Sequence, residues 1–363
     1  MDLSTPGSTS SHELVTSLRD RLEQVLHRHI PDPVDVALVG FPNHPNVGDS
    51  AIWLGERAWL GRAGHRLAYS ADLITYSRRA LSRVLGFDGV IALHGGGNLG
   101  DVWPQHEALR ERVMQDFPRH RIVQLPQTAY FRSVRAVERA RRVYESCSDL
   151  VVIARDEDSH RRLGEWFDIR TDLAPDAAFA LGSQPTTGQP AADIVWLVRT
   201  DEEATKPLRP VPAGSARALD WLDDNVGTAL GIPVGRVRAF VQTFGRQSRR
   251  IPPAAAAFQQ LLIPAFDLLA RCRVAYGCEV LAQGRVVVTD RLHAHILCLL
   301  LDVPNVVDTG YGKIRSFYET WTSGCAAARY TSDPADVSNR VDELSDRRAL
   351  GSRPTLTASD RIA

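Results

Sequence analysis

The stretch Val286–Leu301, VVVTDRLHAHILCLLL, places Asp290, Arg291, His293 and His295 between a valine run and a solid apolar run. The valines read as a buried strand and the apolar run as a core helix. A helix start presents unsatisfied N–H groups and the positive end of its dipole, which together favour an anion. Arg291 adds a permanently charged planar fork suited to phosphate or carboxylate. His293 can hold or deliver a proton near neutral pH. Asp290 is placed to cap the helix. His295 faces another side and reads as a packed histidine with its hydrogen bonds satisfied. His293, His295 and Cys298 share no helix face, so metal ligation by them is not expected.

Three further loops carry residue types that plain turns do not need. NHPNVGDSAI (43–52) concentrates hydrogen-bonding groups in Asn43, His44, Asn46 and Asp49, with Gly48 ahead of the aspartate. ALHGGGNLGD (92–101) sets Gly95, Gly96 and Gly97 between His94 and Asn98, with Asp101 following. Successive glycines let a ligand approach the backbone, and their N–H groups could form an anion nest. VVIARDEDS (151–159) puts Arg155 at a strand's carboxyl end, where the bland reading is a surface arginine paired with Asp156 or Asp158. Beyond the RLH stretch, DTGYGKIRSFYETW brings a glycine-flanked Lys313 after another strand.

Alternating elements position these loops. Apolar runs predict strands at 34–40, 66–70, 88–93, 121–125, 149–154, 194–199, 285–289 and 305–309. Amphipathic segments predict helices at about 51–64, 73–85, 105–116, 132–147 and 157–167, and from 291 onward. Ser10 and Glu13 have the spacing of a capping box for a helix that begins near residue 11. The alternation predicts an α/β fold with parallel sheets wrapped by helices. The cluster GSQPTTGQPAAD (182–193) reads as a linker. It would separate an N-terminal domain (11–185) from a C-terminal domain (193–345), with a disordered leader (1–10) and tail (350–363). Residues 201–260 are harder to read, with a helix at 214–229 and a strand at VRAFVQ (237–242) expected.

Totals narrow the function classes. A chain of 363 residues exceeds one ordinary core. Lys plus Arg and Asp plus Glu each number 43, so net charge is zero, which argues against a general nucleic-acid partner. Five scattered cysteines with no CxxC pair fit a reducing compartment and no zinc ribbon. No window approaches the ~20 apolar residues of a membrane helix.

Taken together, NVGDSAI, HGGGNLGDVWP, ARDEDS, the PD at 175–176 and TDRLHAHILCLLLDVPNVVDTGYGKIRSFYETW resemble the polysaccharide pyruvyl transferases. The resemblance spans roughly residues 35–321, and GGGN followed by RLH is its specific part. It implies two Rossmann-like domains facing a cleft, as in GT-B glycosyltransferases. It implies phosphoenolpyruvate as donor, and pyruvate placed as a ketal on two sugar hydroxyls of an exopolysaccharide or other cell-surface glycan precursor. Arg155, Arg291, His293 and Lys313 match the family's donor-binding and catalytic positions. The acceptor side is assigned to Asn46, Gly48, Asp49, His94, Gly95–Gly97, Asn98 and Asp101, with Asp49 or Asp101 accepting the hydroxyl proton. No cofactor or metal is expected. The acceptor would be free or lipid-linked and the enzyme cytoplasmic, with contact at the inner membrane face left open. The alternatives are a nucleotide-sugar glycosyltransferase of the same fold, and a non-catalytic member of a polysaccharide assembly complex.

Overall fold

Runs of Val, Ile, Leu and Ala build two all-parallel sheets. A computed structural model describes residues 9–31, 33–184, 189–199, 216–219, 221, 232, 234–308 and 312–349. Two compact units emerge: Ser17–Leu181 with Trp221–Gly277, and Met1–Thr16 with Gly182–Asp220 and Cys278–Ala363. This differs from two contiguous domains, because 221–277 belongs with the first unit rather than the second.

In the first unit the elements run α1 (Ser11–His29, most of it in this unit), β1 (Asp35–Val39), α2 (Val47–Arg62), β2 (Arg66–Ala71), α3 (Arg78–Val84), β3 (Val90–Leu93) and β4 (Gly96–Gly100). They continue with α4 (Pro104–Asp116), β5 (Arg121–Tyr130), α5 (Val134–Tyr144), β6 (Asp149–Ala154), α6 (Glu157–Trp166), β7 (Arg170–Leu173), α7 (Val234–Arg250) and α8 (Ala255–Ala282, most of it in this unit). Strand order is β2-β1-β3-β5-β6-β7, with β4 paired to the far end of β5. Both faces are buried, which is why the strands read as unbroken apolar runs. Ala37, Val39, Ile91, Leu93 and Val152 enter one core cluster, and Val36, Leu38, Val90, Ala92 and Val151 enter the other.

The second unit contains β8 (Ala192–Leu197), β9 (Ala216–Leu219), β10 (Gly284–Thr289), α9 (Leu292–Leu300), β11 (Asn305–Asp308), α10 (Gly312–Phe317), β12 (Ala328–Thr331) and α11 (Val337–Ala349). Its strand order is β12-β11-β10-β8-β9. Val286, Val288 and Val306 pack with Val337, Val341 and Leu344 of α11. In both sheets the first strand lies between the second and third, so the order reverses beside it. Such a switch point leaves a crevice at the carboxyl ends of the strands.

Several expectations are corrected. The strand expected at 237–242 is part of α7, because Val234, Val237, Phe240, Val241 and Phe244 recur at helical spacing and pack on one core. The helix expected at 214–229 is strand β9 at 216–219, and most of the remainder lies outside the described residues. The leader does not extend to residue 10: Thr9 bridges to Cys325, and Ser10 forms the expected capping box with Glu13 at 3.1 and 3.3 Å. The tail at 350–363 lies outside the described residues. No helix among the described residues is long and apolar enough to cross a membrane.

Candidate active site

The glycine-rich segment begins where β3 ends, beside the switch point. Gly40, just past β1, has φ +110°, and a Cβ there would stand 3.1 Å from the His94 Cβ. A buried carboxylate organises the turn. Glu56 of α2 accepts from the His94 ring at Nδ1 (2.7 Å) through one oxygen and from the Gly95 amide (2.8 Å) through the other. The anion-nest expectation is therefore corrected, since the site's own carboxylate occupies the Gly95 N–H. His94 Nε2 is buried without a hydrogen-bond partner among the described residues. Burial opposes the imidazolium, yet the charge and hydrogen bond of Glu56, with Asp49 and Asp176 nearby, leave the His94 pKa raised.

Gly96–Gly100 forms a strand rather than an open loop. Gln127 holds it by accepting from Asn98 N (3.1 Å) and donating to the His94 carbonyl (3.0 Å) and Asn98 Oδ1 (3.1 Å). Arg110 also donates to Asn98 Oδ1 (2.9 Å). Glu107, fully buried, accepts from Gly100 N, Arg110 and the Tyr144 hydroxyl.

Asn46 caps α2 by accepting from Gly48 N at 2.9 Å. Asp49 in the first turn lies 3.5 Å from His44 Nε2, and a Cβ on Gly96 would stand 3.6 Å from its Oδ1. His106, packed edge-on to His44, is pushed down to about 4 by burial, with His44 and Arg110 adding to the effect. Asp101 accepts from Arg132 N at 2.6 Å and anchors the turn after β5.

Arg155 is no surface arginine. It is 3% exposed, donating to Thr128 Oγ1 (2.8 Å) and pairing with Asp176 (2.7 Å). Asp156 instead caps α6 and bonds Thr128 and Ser159. A Cβ on Gly97 would stand 2.8 Å from Arg155 Nη2, so the guanidinium lies against the glycine segment. Asp49, His94, Gly95–Gly97, Asn98 and Arg155 thus form one polar locus at the carboxyl edge of the seven-stranded sheet. Sequence reasoning missed Glu56, Glu107, Arg110, Gln127 and Gln124, the last accepting from Arg110 (2.7 Å) and donating to the His94 carbonyl (3.0 Å), which support it.

In the five-stranded sheet, Thr289 ends β10 by donating to the Leu197 carbonyl (2.6 Å) and accepting from Arg291 N (3.0 Å). Asp290 does not cap α9. Its Oδ1 accepts from Arg199 N at 2.8 Å, joining the ends of β8 and β10 at the switch point. Burial raises its pKa, against the opposing pull of the Arg199 amide and the Arg291 charge. Arg291 takes the N-cap position without a side-chain cap bond and is 4% exposed. His293 follows in the first turn, half-buried. Lys313, also half-buried, sits in the first turn of α10, after the neighbouring strand β11. Arg291, His293 and Lys313 therefore share the carboxyl edge of one sheet. His295 has both nitrogens engaged, Nδ1 with Asn305 Oδ1 (2.7 Å) and Nε2 with Thr322 Oγ1 (2.8 Å). Burial, only partly offset by Asn305, pushes its pKa down to about 4, so it is a neutral structural histidine.

Residues 46–227 match the family profile for polysaccharide pyruvyl transferase. A Schizosaccharomyces pombe protein named pyruvyl transferase 1 is 30% identical over 336 residues, covering 88% of this chain and 78% of that one. A Bacillus subtilis chain with a provisional pyruvyl transferase name, EpsO, is 28% identical over 323 residues, covering 88% of this chain and 95% of that one. A solved Klebsiella pneumoniae structure of uncharacterized function aligns with TM-score 0.52 at 15% identity, over 87% of this chain and 99% of that one, a likeness of fold. With a family match over half its length and a relative aligned over most of it, the chain belongs to the polysaccharide pyruvyl transferase family.

Proposed function

We propose that the protein transfers the pyruvyl group of phosphoenolpyruvate to two hydroxyls of one sugar in a cell-surface glycan precursor. The observation that carries this reading is the grouping of Arg291, His293 and Lys313 at the carboxyl edge of one parallel sheet, each at a helix start. Phosphoenolpyruvate brings a phosphate and a carboxylate, which call for two or more fixed cations. Arg291 and Lys313 are assigned to its anionic groups, with Arg155 as a further cation, and His293 to proton transfer. We read the two units as Rossmann-like domains of a GT-B-like enzyme, a reading supported by the same strand-order reversal in each sheet.

In the proposed reaction, His293 delivers a proton to the methylene carbon, which becomes a methyl group. The C2 centre turns electrophilic and a sugar hydroxyl adds to it, losing its proton. The C2–O bond to phosphate breaks and phosphate departs with the electron pair. A second hydroxyl adds to C2 and closes the ketal, its proton passing to the departed phosphate. Asp49 is the favoured acceptor of the first hydroxyl proton, since Asp101 already holds the Arg132 amide. His94, Asn98 and the glycine backbone are assigned to the sugar, and Asn46 and Gly48 to holding Asp49 in place. The scheme moves protons and C–O bonds only and calls for no metal or cofactor. A cytoplasmic enzyme acting on a free or lipid-linked acceptor fits the donor's chemistry.

The test incubates the protein with phosphoenolpyruvate and a panel of free and lipid-linked glycosides. Phosphate release matched by a product heavier by one pyruvate less one water is expected. Transfer from a nucleotide sugar, with phosphoenolpyruvate inert across the panel, would replace this reading with a glycosyltransferase.

A further inference from the structure

The chain is neutral overall, yet one face of the seven-stranded unit gathers arginines. Arg78, Arg79 and Arg83 of the short helix α3 line an open depression of about 670 Å³ with Ser82 and Pro253. An adjoining depression shares Arg78 and Ser82 and is lined further by Phe87, Arg119 and His120. Arg249, near the end of α7, donates to the Ile74 carbonyl at 2.6 Å and so ties a third segment to the same face. These five arginines form no ion pair among the described residues, unlike Arg112 beside them, which lies 3.9 Å from Asp116. Of the described acidic groups, Asp116 lines the second depression, accepting from Tyr76 and facing Arg112. Asp72 is buried within its own turn, accepting from the Ile74 and Thr75 amides.

Large apolar side chains project among the arginines, each from a different loop: Ile74 (43% exposed), Phe87 (68%) and Ile251 (48%). Exposed apolar groups scattered singly need no explanation, whereas several on one strongly cationic face mark an interaction surface. The two features together select the partner. A soluble polyanion would match the arginines and leave the aliphatic and phenyl tips in water. An apolar protein groove would match the tips and strand five unpaired charges. A bilayer with anionic headgroups matches both, since arginines sit at headgroup level while apolar tips enter the acyl boundary.

We propose that this face docks the protein on a membrane surface rich in anionic phospholipid. The contact requires no crossing helix, and it stands independently of the proposed reaction, because binding is measured without substrate.

The experiment sediments the full chain with vesicles of phosphatidylcholine alone and of phosphatidylcholine mixed with phosphatidylglycerol, at low and high salt. Binding is expected to the mixed vesicles only and to weaken with salt. The triple variant Arg78→Glu/Arg79→Glu/Arg83→Glu should bind at least ~10²-fold more weakly, taking each lost surface arginine as about fivefold. Ile74→Ser/Phe87→Ser should keep the salt-sensitive part of the binding and lose the part that survives high salt. Circular dichroism and the thermal melt should be unchanged in both variants. Equal partitioning of wild type and triple variant, or no binding to mixed vesicles, overturns the proposal. A self-association that the triple variant abolishes, with vesicles left unbound, would assign the face to a second copy of this chain instead.

Discussion

Glu56 grips His94 and the backbone beside it at once: one oxygen lies 2.7 Å from His94 Nδ1 and the other 2.8 Å from the Gly95 amide. Both side chains are buried. A single carboxylate on α2 therefore fixes the ring and the first glycine of the segment that begins where β3 ends.

That pair should give stability a pH dependence. The folded pKa of His94 is raised, so its stabilisation is complete below the ordinary histidine value of about 6.5 and is lost as pH rises through the folded value. Glu56→Gln should lower unfolding free energy by ~3 kcal/mol at pH 6 and flatten its dependence on the alkaline side. Urea denaturation across pH reads both effects. An identical slope in wild type and variant would show that the pair does not carry the charge assigned to it.

His295 gives the opposite sign. Its folded pKa is about 4, below the unfolded value, so the neutral ring's contribution is complete above about pH 6.5 and is lost on acidification. The loss should reach ~3 kcal/mol by pH 4. His295→Gln should be less stable at pH 7, through its broken bonds to Asn305 and Thr322, but lose less on acidification than wild type. A variant with wild-type stability at pH 7 would remove the structural role.

The contact between Gly97 and Arg155 predicts a functional effect without unfolding. A methyl group at Gly97 would stand 2.8 Å from Arg155 Nη2, and Thr128 and Asp176 restrict where the guanidinium can go. Gly97→Ala should keep its fold and reduce kcat/KM for phosphoenolpyruvate by ~10–10²-fold. Steady-state kinetics with a thermal melt decides it; unchanged kinetics would take Arg155 out of the site.

What the sequence shows and hides follows from physical cause. Strands buried on both faces announce themselves as apolar runs, and the Arg291–His293 pair stands out because charge interrupts such a run. β4 carries no such signal: three glycines among its five residues leave no side-chain period, and backbone pairing to a ten-residue β5 makes the strand. Glu56 reads as a solvated helix charge until α2 is seen to be buried on nearly every side. The Arg155–Asp176 pair joins residues 21 apart, and an aspartate next door is the more obvious partner on paper. Asp290 looks like a cap because Asp before a helix usually is one; the Arg199 amide from the neighbouring strand end takes it instead. In α7, tertiary packing overrides the strand propensity of Val237–Val241.

The central claim is that His293 is the proton donor to phosphoenolpyruvate. The most direct measurement is phosphate release by His293→Gln at saturating substrates, beside donor affinity from equilibrium dialysis. Glutamine keeps a polar side chain of similar reach but carries no transferable proton at neutral pH. The account predicts turnover reduced by ~10²-fold or more with a much smaller change in donor affinity, and His295→Gln retaining turnover wherever it stays folded. Near-normal turnover in His293→Gln, together with a folded His295→Gln that is inactive, would contradict it.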